Sequence, residues 1–294
     1  MLVLSGGTGT PKLLLGLKEL LSPPELSIVV NTAEDLWISG NFVSPDLDTV
    51  LYTLSGLVDE RRWWGIKEDS FFTHDFLYDL GKSELLALGD KDRAVHIFRS
   101  DLLRKGASLS SATECLAEAL GIMQRIIPMT DDPVSTIVTT DTGDMHFQDF
   151  WVRLKGMPNV LSLRYEGIEN ARLSPGFLDL LDQEDIILIG PSNPVTSIGP
   201  ILALPSVRGR LNDKKVVAVS PLVGDRPVSG PVAKLMHACG VPVSDEGVRS
   251  LLGNVDLFVV DETSSYQGKC IQLDTLMRSE DDSLRLAKRL LELI

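Results

Sequence analysis

Short apolar runs that end in glycine or polar clusters recur towards both ends of the chain. The run Leu2–Leu4 leads into a glycine-rich segment and then into leucines with helical spacing, which predicts a strand, a tight loop and a helix. A second run, Leu26–Val30, follows, so this stretch predicts a βαβ unit with two parallel strands. Later runs of the same kind predict further buried strands at 185–189, 215–219 and 255–260.

The middle of the chain has a different pattern. From about residue 56 to 128 the spacing is mostly helical, with no strong parallel strand, and 135–139 and 144–151 predict a hairpin. A charged final segment, 279–290, predicts an exposed helix. We therefore predict an α/β fold with a Rossmann-like, doubly wound, mainly parallel sheet and a mostly helical inserted lobe. The chain would be a single domain, 1–294, with its sheet core at 1–45 and 150–294 and its helical and hairpin lobe at 46–149.

The segment after the first strand, 5–12, has the residue types of an anion site. Its glycines let the backbone approach a ligand, and the helix that follows directs its free N–H groups and positive dipole end there. Thr10 is the predicted N-cap and Pro11 the first helical residue. The spacing matches neither a Walker A loop nor a complete G-x-G-x-x-G fingerprint, and a simple tight turn is the alternative. The residues predicted to bind a diphosphate here are Gly6, Gly7, Thr8, Gly9 and Lys12.

Polar residues also follow other strands of the predicted sheet. In open parallel sheets, ligands lie beyond the carboxyl ends of the strands. Asn31 ends the second strand, so we expect it to lie near the glycine loop. The loops after later strands offer neutral hydrogen-bonding groups and a further helix N-terminus. The residues predicted to bind the donor there are Ser192, Asn193, Ser229 and Gly230.

Two carboxylates follow the turn at Pro45. One carboxylate is enough to cap a helix, but Asp46 and Asp48 stand two residues apart, and on an extended backbone both would reach one cation. We therefore predict that Asp46 and Asp48 are catalytic residues and metal ligands, with a helix cap as the alternative.

Aromatic and basic side chains in the lobe suggest a second part of the site. Trp63 and Trp64 either form a stacking wall for a planar ring or pack the lobe onto the sheet. Asp90 and Arg93 begin a helix whose basic face continues with two more residues at helical spacing, His96 and Arg99. That segment is either a solvated helix start or a ligand clamp.

Composition limits the class of partner. The 294 residues contain 28 Lys and Arg against 41 Asp and Glu, a net charge of -13, so we expect no general attraction to nucleic acid or to anionic membranes. No apolar run reaches 18 residues and no signal peptide is predicted. The three cysteines form neither a disulfide framework nor a zinc motif, so a cytoplasmic location is expected.

Six motifs occur in one order along the chain, and together they resemble the 2-phospho-L-lactate transferases of deazaflavin coenzyme F-420 biosynthesis. The motifs are Ser-Gly-Gly-Thr-Gly-Thr-Pro-Lys, Asn-Thr-Ala-Glu-Asp, Ser-Pro-Asp-Leu-Asp-Thr-Val, Gly-Asp-Lys-Asp-Arg-Ala, Gly-Pro-Ser-Asn-Pro and Pro-Val-Ser-Gly-Pro. The resemblance implies transfer of a phospholactyl or phosphoenolpyruvyl group from a guanosine diphosphate conjugate to a hydroxyl of the deazaflavin Fo. It also implies release of GMP, a requirement for Mg²⁺ and a homodimer.

The same resemblance assigns an acceptor site and shows one departure. The residues that it implies for acceptor binding are Asp48, Trp63, Trp64, Asp90 and Arg93. Relatives carry a basic residue just before the Gly89-Asp90 motif, whereas this chain has Ala87. Two other classes of function stay open: a nucleotide-sugar-binding regulator without turnover, and a nicotinamide dehydrogenase, for which Glu34 and Asp35 would be the ribose-binding acids.

Overall fold

One parallel sheet and three small antiparallel sheets organise the computed structural model, which describes residues 1–228 and 230–294. In chain order, its strands are β1 (Leu2–Ser5), β2 (Ser27–Val30), β3 (Leu36–Ile38), β4 (Asn41–Val43), β5 (Arg125–Pro128), β6 (Ser135–Thr140), β7 (Gly143–His146), β8 (Val160–Glu166), β9 (Ile186–Ile189), β10 (Lys215–Val219), β11 (Leu222–Val223), β12 (Arg226–Pro227), β13 (Leu257–Asp261) and β14 (Ile271–Leu273). The helices are α1 (Gly9–Leu20), α2 (Pro45–Leu54), α3 (Phe72–Asp79), α4 (Asp90–Arg104), α5 (Leu109–Ala119), α6 (Pro175–Gln183), α7 (Ile198–Ala203), α8 (Val207–Leu211), α9 (Val232–Ala238), α10 (Asp245–Leu252) and α11 (Glu280–Leu291).

The central sheet has the strand order β14-β13-β10-β9-β1-β2-β5, and all of its pairings are parallel. β1 lies inside the sheet, where Leu2 is paired with Ser27 of β2 on one side and with Ile187 of β9 on the other. The α/β, Rossmann-like fold predicted from the apolar runs is therefore confirmed.

Helices cover both faces of this sheet. Successive strand residues point to opposite faces, so Val3 packs with α1, α2, α5 and α11, whereas Leu2 and Leu4 pack with α6, α7, α9 and α10. A sheet buried on both faces gives continuous apolar runs rather than alternation, which is why its strands were visible in the sequence.

Two predicted elements differ from the structure. The segment 56–128 was expected to contain no parallel strand, and this is wrong at its end, because β5 pairs with β2 at the sheet edge. Only two aliphatic residues, Ile126 and Ile127, mark this strand in the sequence, and so short a run does not distinguish a strand from a buried helical turn. The final helix, α11, is not fully exposed, because Leu286 and Leu290 are buried against the sheet layer.

The predicted hairpin is confirmed as β6 and β7, and β8 adds a third antiparallel strand beside β6. The second strand is shorter than expected, since 149–153 form a single helical turn. In the described part of the chain, no helix is long and apolar enough to cross a membrane.

Candidate active site

A cavity of about 700 Å³ opens beyond the carboxyl ends of the central strands. It lies at the position in the sheet where the strand order changes direction. From β1, the strands β2 and β5 follow on one side, and β9 and β10 follow on the other. Such a switch point is the usual ligand site of an open parallel sheet. The predicted site residues that line it are Gly7, Thr8, Gly9, Lys12, Asp46, Asp48, Trp63, Trp64, Ser192, Asn193 and Gly230.

The glycine loop is packed too closely for larger residues. Gly7 has a φ of +56°, and a side chain at Gly9 would overlap the carbonyl oxygen of Pro191. A Cβ on Gly6 would lie 2.7 Å from Oδ2 of Asp46. The loop leads into α1, whose buried N-terminus directs free N–H groups at the cavity.

Helix α1 begins two residues earlier than predicted. Thr8 is its N-cap and Thr10 lies inside the first turn, so the prediction of Thr10 as N-cap is wrong. The Thr10 hydroxyl is instead 2.6 Å from that of Ser192, which also donates a hydrogen bond to the Gly6 carbonyl. Asn193 accepts hydrogen bonds from two backbone N–H groups of its own loop. These contacts fix the loop after β9 against the glycine loop.

Lys12 lies between the glycine loop and the lobe. Its Nζ is 4.9 Å from the centre of the Trp63 ring, and burial lowers the pKa of Lys12. Trp63 has a φ of +59°, a conformation that a bulky residue rarely adopts. The surrounding turn is closed by the backbone hydrogen bond from Asp59 to Gly65. The lobe therefore carries its tryptophans to the cavity that the glycine loop lines.

Asp46 is directed at the glycine loop. Its Oδ2 accepts a hydrogen bond of 2.8 Å from Asn31, and the backbone of Gly7 also donates to the carboxylate. Burial nevertheless raises the pKa of Asp46 to about 6. Glu34 is buried nearby, where desolvation and the charge of Asp46 raise its pKa well above its usual value. Gln148 donates a 2.8 Å hydrogen bond to Glu34.

Asp48 has a different environment. Its carboxylate forms a buried ion pair with Arg99 and accepts from His96 Nε2 at 3.0 Å. Burial would raise the pKa of Asp48, but the charges of Arg99 and His96 hold it well below its usual range. His96 also contacts Asp92 at 3.2 Å, and although burial disfavours the charged ring, these two carboxylates raise the pKa of His96 to about 9. Asp92 in turn accepts a 2.6 Å hydrogen bond from Tyr52.

The extended backbone that would bring both aspartates to one cation is therefore not present. Both lie in the first turns of α2, and residues two apart on a helix face different directions. Asp46 points to the sheet side of the cavity and Asp48 to the lobe.

Two groups of side chains offer metal-ligand atoms. Asp48, Asp92 and His96 have ligand atoms within 4.8 Å of one another, but Arg99 already neutralises Asp48 and one donor is nitrogen. Mg²⁺ prefers oxygen donors. Asp46 and Glu34 supply only oxygens, and within the described residues neither forms an ion pair with a basic side chain. Because no basic side chain of the described residues pairs with them, these two carboxyl groups suit a divalent cation better.

Four predicted residues lie outside the cavity lining. Gly6 and Asn31 support it from behind through their contacts with Asp46. Asp90 accepts hydrogen bonds from Ser70 and from two backbone N–H groups at the start of α3, and Arg93 forms an ion pair with Glu84. Ser229 lies outside the described residues.

The cavity also contains residues that the sequence did not single out as site residues. Arg62, Gln148 and Trp151 line it, as does Ala87, the position of the departure noted above. Glu34 was considered only for a different cofactor. No spacing motif links these positions, since they come from four separate segments of the chain. Gln148 and Trp151 follow β7 directly and reach the site through the packing of the tertiary structure, in which Gln148 contacts Glu34.

Several known proteins with similar sequences carry the same name. The model of the 2-phospho-L-lactate transferase CofD family matches residues 1–288. A 2-phospho-L-lactate transferase from Methanosarcina mazei is 52% identical over 98% of this chain and 98% of its own. The protein of that name from Methanopyrus kandleri is 49% identical over 99% of this chain and 96% of its own.

The fold has a solved counterpart in a more distant protein. The crystal structure of a UPF0052 family member from Bacillus halodurans has a TM-score of 0.64, covering 99% of this chain and 98% of that one. At 15% identity this likeness shows the fold alone. The full-length match to the family model and to close relatives carries the assignment: this chain belongs to the 2-phospho-L-lactate transferase family and is a transferase.

Proposed function

We propose that the protein transfers the 2-phospholactyl group, or its phosphoenolpyruvyl counterpart, from lactyl-2-diphospho-5'-guanosine to the hydroxyl of Fo. In this reaction the acceptor oxygen forms a bond to the phosphorus that carries the lactyl group, the bond from that phosphorus to the bridging oxygen breaks, and GMP leaves. The product belongs to coenzyme F-420 biosynthesis.

The observation that carries the proposal is the composition of the cavity beyond the carboxyl ends of the central strands. It combines a glycine loop at a helix N-terminus, buried carboxylates and tryptophan side chains within about 700 Å³. The loop suits a diphosphate, because its N–H groups and the dipole of α1 favour negative charge. Trp63 and Trp64 give an apolar wall of the kind that a planar deazaflavin ring requires.

On the donor side, the glycine loop and Lys12 would hold the diphosphate, with Ser192, Asn193 and Gly230 near the guanosine. Phosphoryl transfer proceeds through a loose transition state, so the protein acts mainly by positioning and charge stabilisation. Lys12, in the first turn of α1, is placed to offset charge on the leaving GMP.

Asp46 and Glu34 are the residues that would hold Mg²⁺. The cation would supply charge neutralisation between these carboxylates and the bound diphosphate, which otherwise repel each other. Asp48 belongs to the lobe side of the cavity. Its ion pair with Arg99 and its hydrogen bond with His96 would fix the surface on which the acceptor lies.

The test is incubation of the purified protein with lactyl-2-diphospho-5'-guanosine, Fo and Mg²⁺. We expect GMP and a phospholactylated deazaflavin in equal amounts, and no GMP when Fo or Mg²⁺ is left out. Nucleotide binding without GMP release, with any deazaflavin acceptor, would overturn the proposal in favour of a nucleotide-binding regulator. We also propose a homodimer, which light scattering of the eluting protein would test.

A further inference from the structure

The turn 59–65 brings one cationic side chain into the cavity in a defined position. The guanidinium of Arg62 lies 5.2 Å from the centre of the Trp64 ring and 5.6 Å from that of Phe71. Its ion-pair contact with Asp59 is long, at 3.7 Å through Nε. Within the described residues, the terminal nitrogens of Arg62 donate no hydrogen bond to the protein. Two aromatic rings therefore hold the guanidinium while its hydrogen-bonding edge stays available.

Few positive charges face this cavity. In the part of the chain that the structure describes, the basic residues of the lining are Lys12, Arg62 and His96. His96 is already held between two carboxylates, and Lys12 stands in the first turn behind the glycine loop. Four carboxylic acids line the same space, namely Glu34, Asp46, Asp48 and Asp92. Because the proposed diphosphate would use Lys12 and the glycine loop, Arg62 is the remaining basic side chain among the described lining residues for a further anionic group of the ligand.

The proposed donor carries such a group. Besides its diphosphate it has the carboxylate of the lactyl unit, and the phosphoenolpyruvyl counterpart has the same carboxylate. An anion that enters a partly closed cavity loses hydration and needs a cationic partner. A guanidinium matches a carboxylate with two parallel hydrogen bonds, which an ammonium group does not provide.

Resting on the function proposed above, we propose that Arg62 is the carboxylate-binding residue of the site and selects donors that carry a carboxylate next to the transferred phosphate. The turn places it directly beside Trp63, whose ring contacts Lys12 at the phosphate-binding end. A lactyl carboxylate, attached one carbon from the phosphate oxygen, would reach from that end towards Arg62.

Two nucleotides that differ only in this carboxylate provide the test. Lactyl-2-diphospho-5'-guanosine and the ethyl ester of guanosine diphosphate are titrated calorimetrically into the wild-type protein and into Arg62→Gln, both with Mg²⁺. We expect the wild-type protein to bind the lactyl ester at least tenfold more tightly than the ethyl ester. In Arg62→Gln the two affinities should become nearly equal, through loss of binding to the lactyl ester alone.

Neighbouring variants control the result. Arg61→Gln removes the adjacent exposed arginine, which does not line the cavity, and should leave both affinities unchanged. Arg62→Lys keeps the charge without the planar fork, so it should restore only part of the preference for the lactyl ester.

Four outcomes would overturn the assignment. An equal loss of affinity for both esters in Arg62→Gln would show that Arg62 binds the phosphates or supports the fold. No loss of affinity would show that Arg62 does not contact the donor. A wild-type protein that binds neither ester would overturn this assignment together with the proposed function. Turnover by the wild-type protein with an unchanged preference in Arg62→Gln would overturn the Arg62 assignment alone.

Discussion

Replacement of Asp46 by Asn should stabilise the protein while removing its activity. Asp46 is buried, and its pKa of about 6, against an ordinary 3.8, means that the folded protein disfavours the charged form. At about 1.36 kcal/mol per pKa unit, this rise corresponds to about 3 kcal/mol of destabilisation at neutral pH. Asp46→Asn removes the charge but keeps an oxygen that accepts from Asn31. We therefore expect its melting temperature to rise by roughly 5 °C.

The free energy of unfolding should depend on pH in a direction set by the raised pKa of Asp46. Between pH 3.8 and about 6 the folded protein binds more protons at Asp46 than the unfolded chain does, so stability falls over this interval and stays lower above it. Urea unfolding of wild-type protein and Asp46→Asn in EDTA, at several pH values, measures the difference. It should be small near pH 4 and largest above pH 7.

Added Mg²⁺ should largely cancel this difference in stability. A cation bound only to the folded state at a hundred times its dissociation constant adds about 2.7 kcal/mol, so Mg²⁺ should raise the wild-type melting temperature and leave Asp46→Asn nearly unchanged. Two results would refute the idea that Asp46 is a metal-binding carboxylate without a basic partner. One is an Asp46→Asn variant less stable than wild type in EDTA at pH 8, and the other is a variant whose melting temperature rises with Mg²⁺ as much as that of wild type.

Three other substitutions test separate parts of the site. Asp48→Asn leaves Arg99 buried without its partner, so urea unfolding should show a loss of about 3–5 kcal/mol, opposite in sign to Asp46→Asn; a neutral effect would contradict the buried ion pair. Gly7→Val should weaken guanosine nucleotide binding about tenfold or more in calorimetry, because the backbone needs φ of +56°, and unchanged affinity with an intact fold would count against the phosphate loop. Trp63→Gly should be about 1 kcal/mol more stable than Trp63→Ala, since both remove the ring but only glycine suits φ of +59°; equal melting temperatures would show that the turn is not strained.

Local pattern was enough to predict the sheet and the glycine loop, because both depend on neighbouring residues. Strands covered on both faces are apolar throughout, and the glycines directly follow β1. Strand β5 was missed because it contains only two aliphatic residues, Ile126 and Ile127, and because its partner β2 lies almost a hundred residues away in sequence.

The roles within the site depend on contacts that no spacing encodes. Asp46 and Asp48 look equivalent in the sequence, yet Asn31 from the strand end contacts one and Arg99 from α4 neutralises the other. The helical spacing of Arg93, His96 and Arg99 correctly placed them on one face. Which acid each would meet follows only from how the lobe packs on α2.

The position of β1 inside the sheet also affects how the protein folds. Its partner β2 is made about 25 residues later, but its other partner, β9, is separated from it by about 185 residues. Pairings between such distant segments form slowly, since a long loop must close before the contact is gained. A nascent chain that ends before β9 therefore already contains the glycine loop, yet one edge of β1 is unpaired and open to association with other chains. Ser192 and Asn193, which line the cavity, are synthesised only after β9. The cavity is therefore among the last parts of the molecule to form.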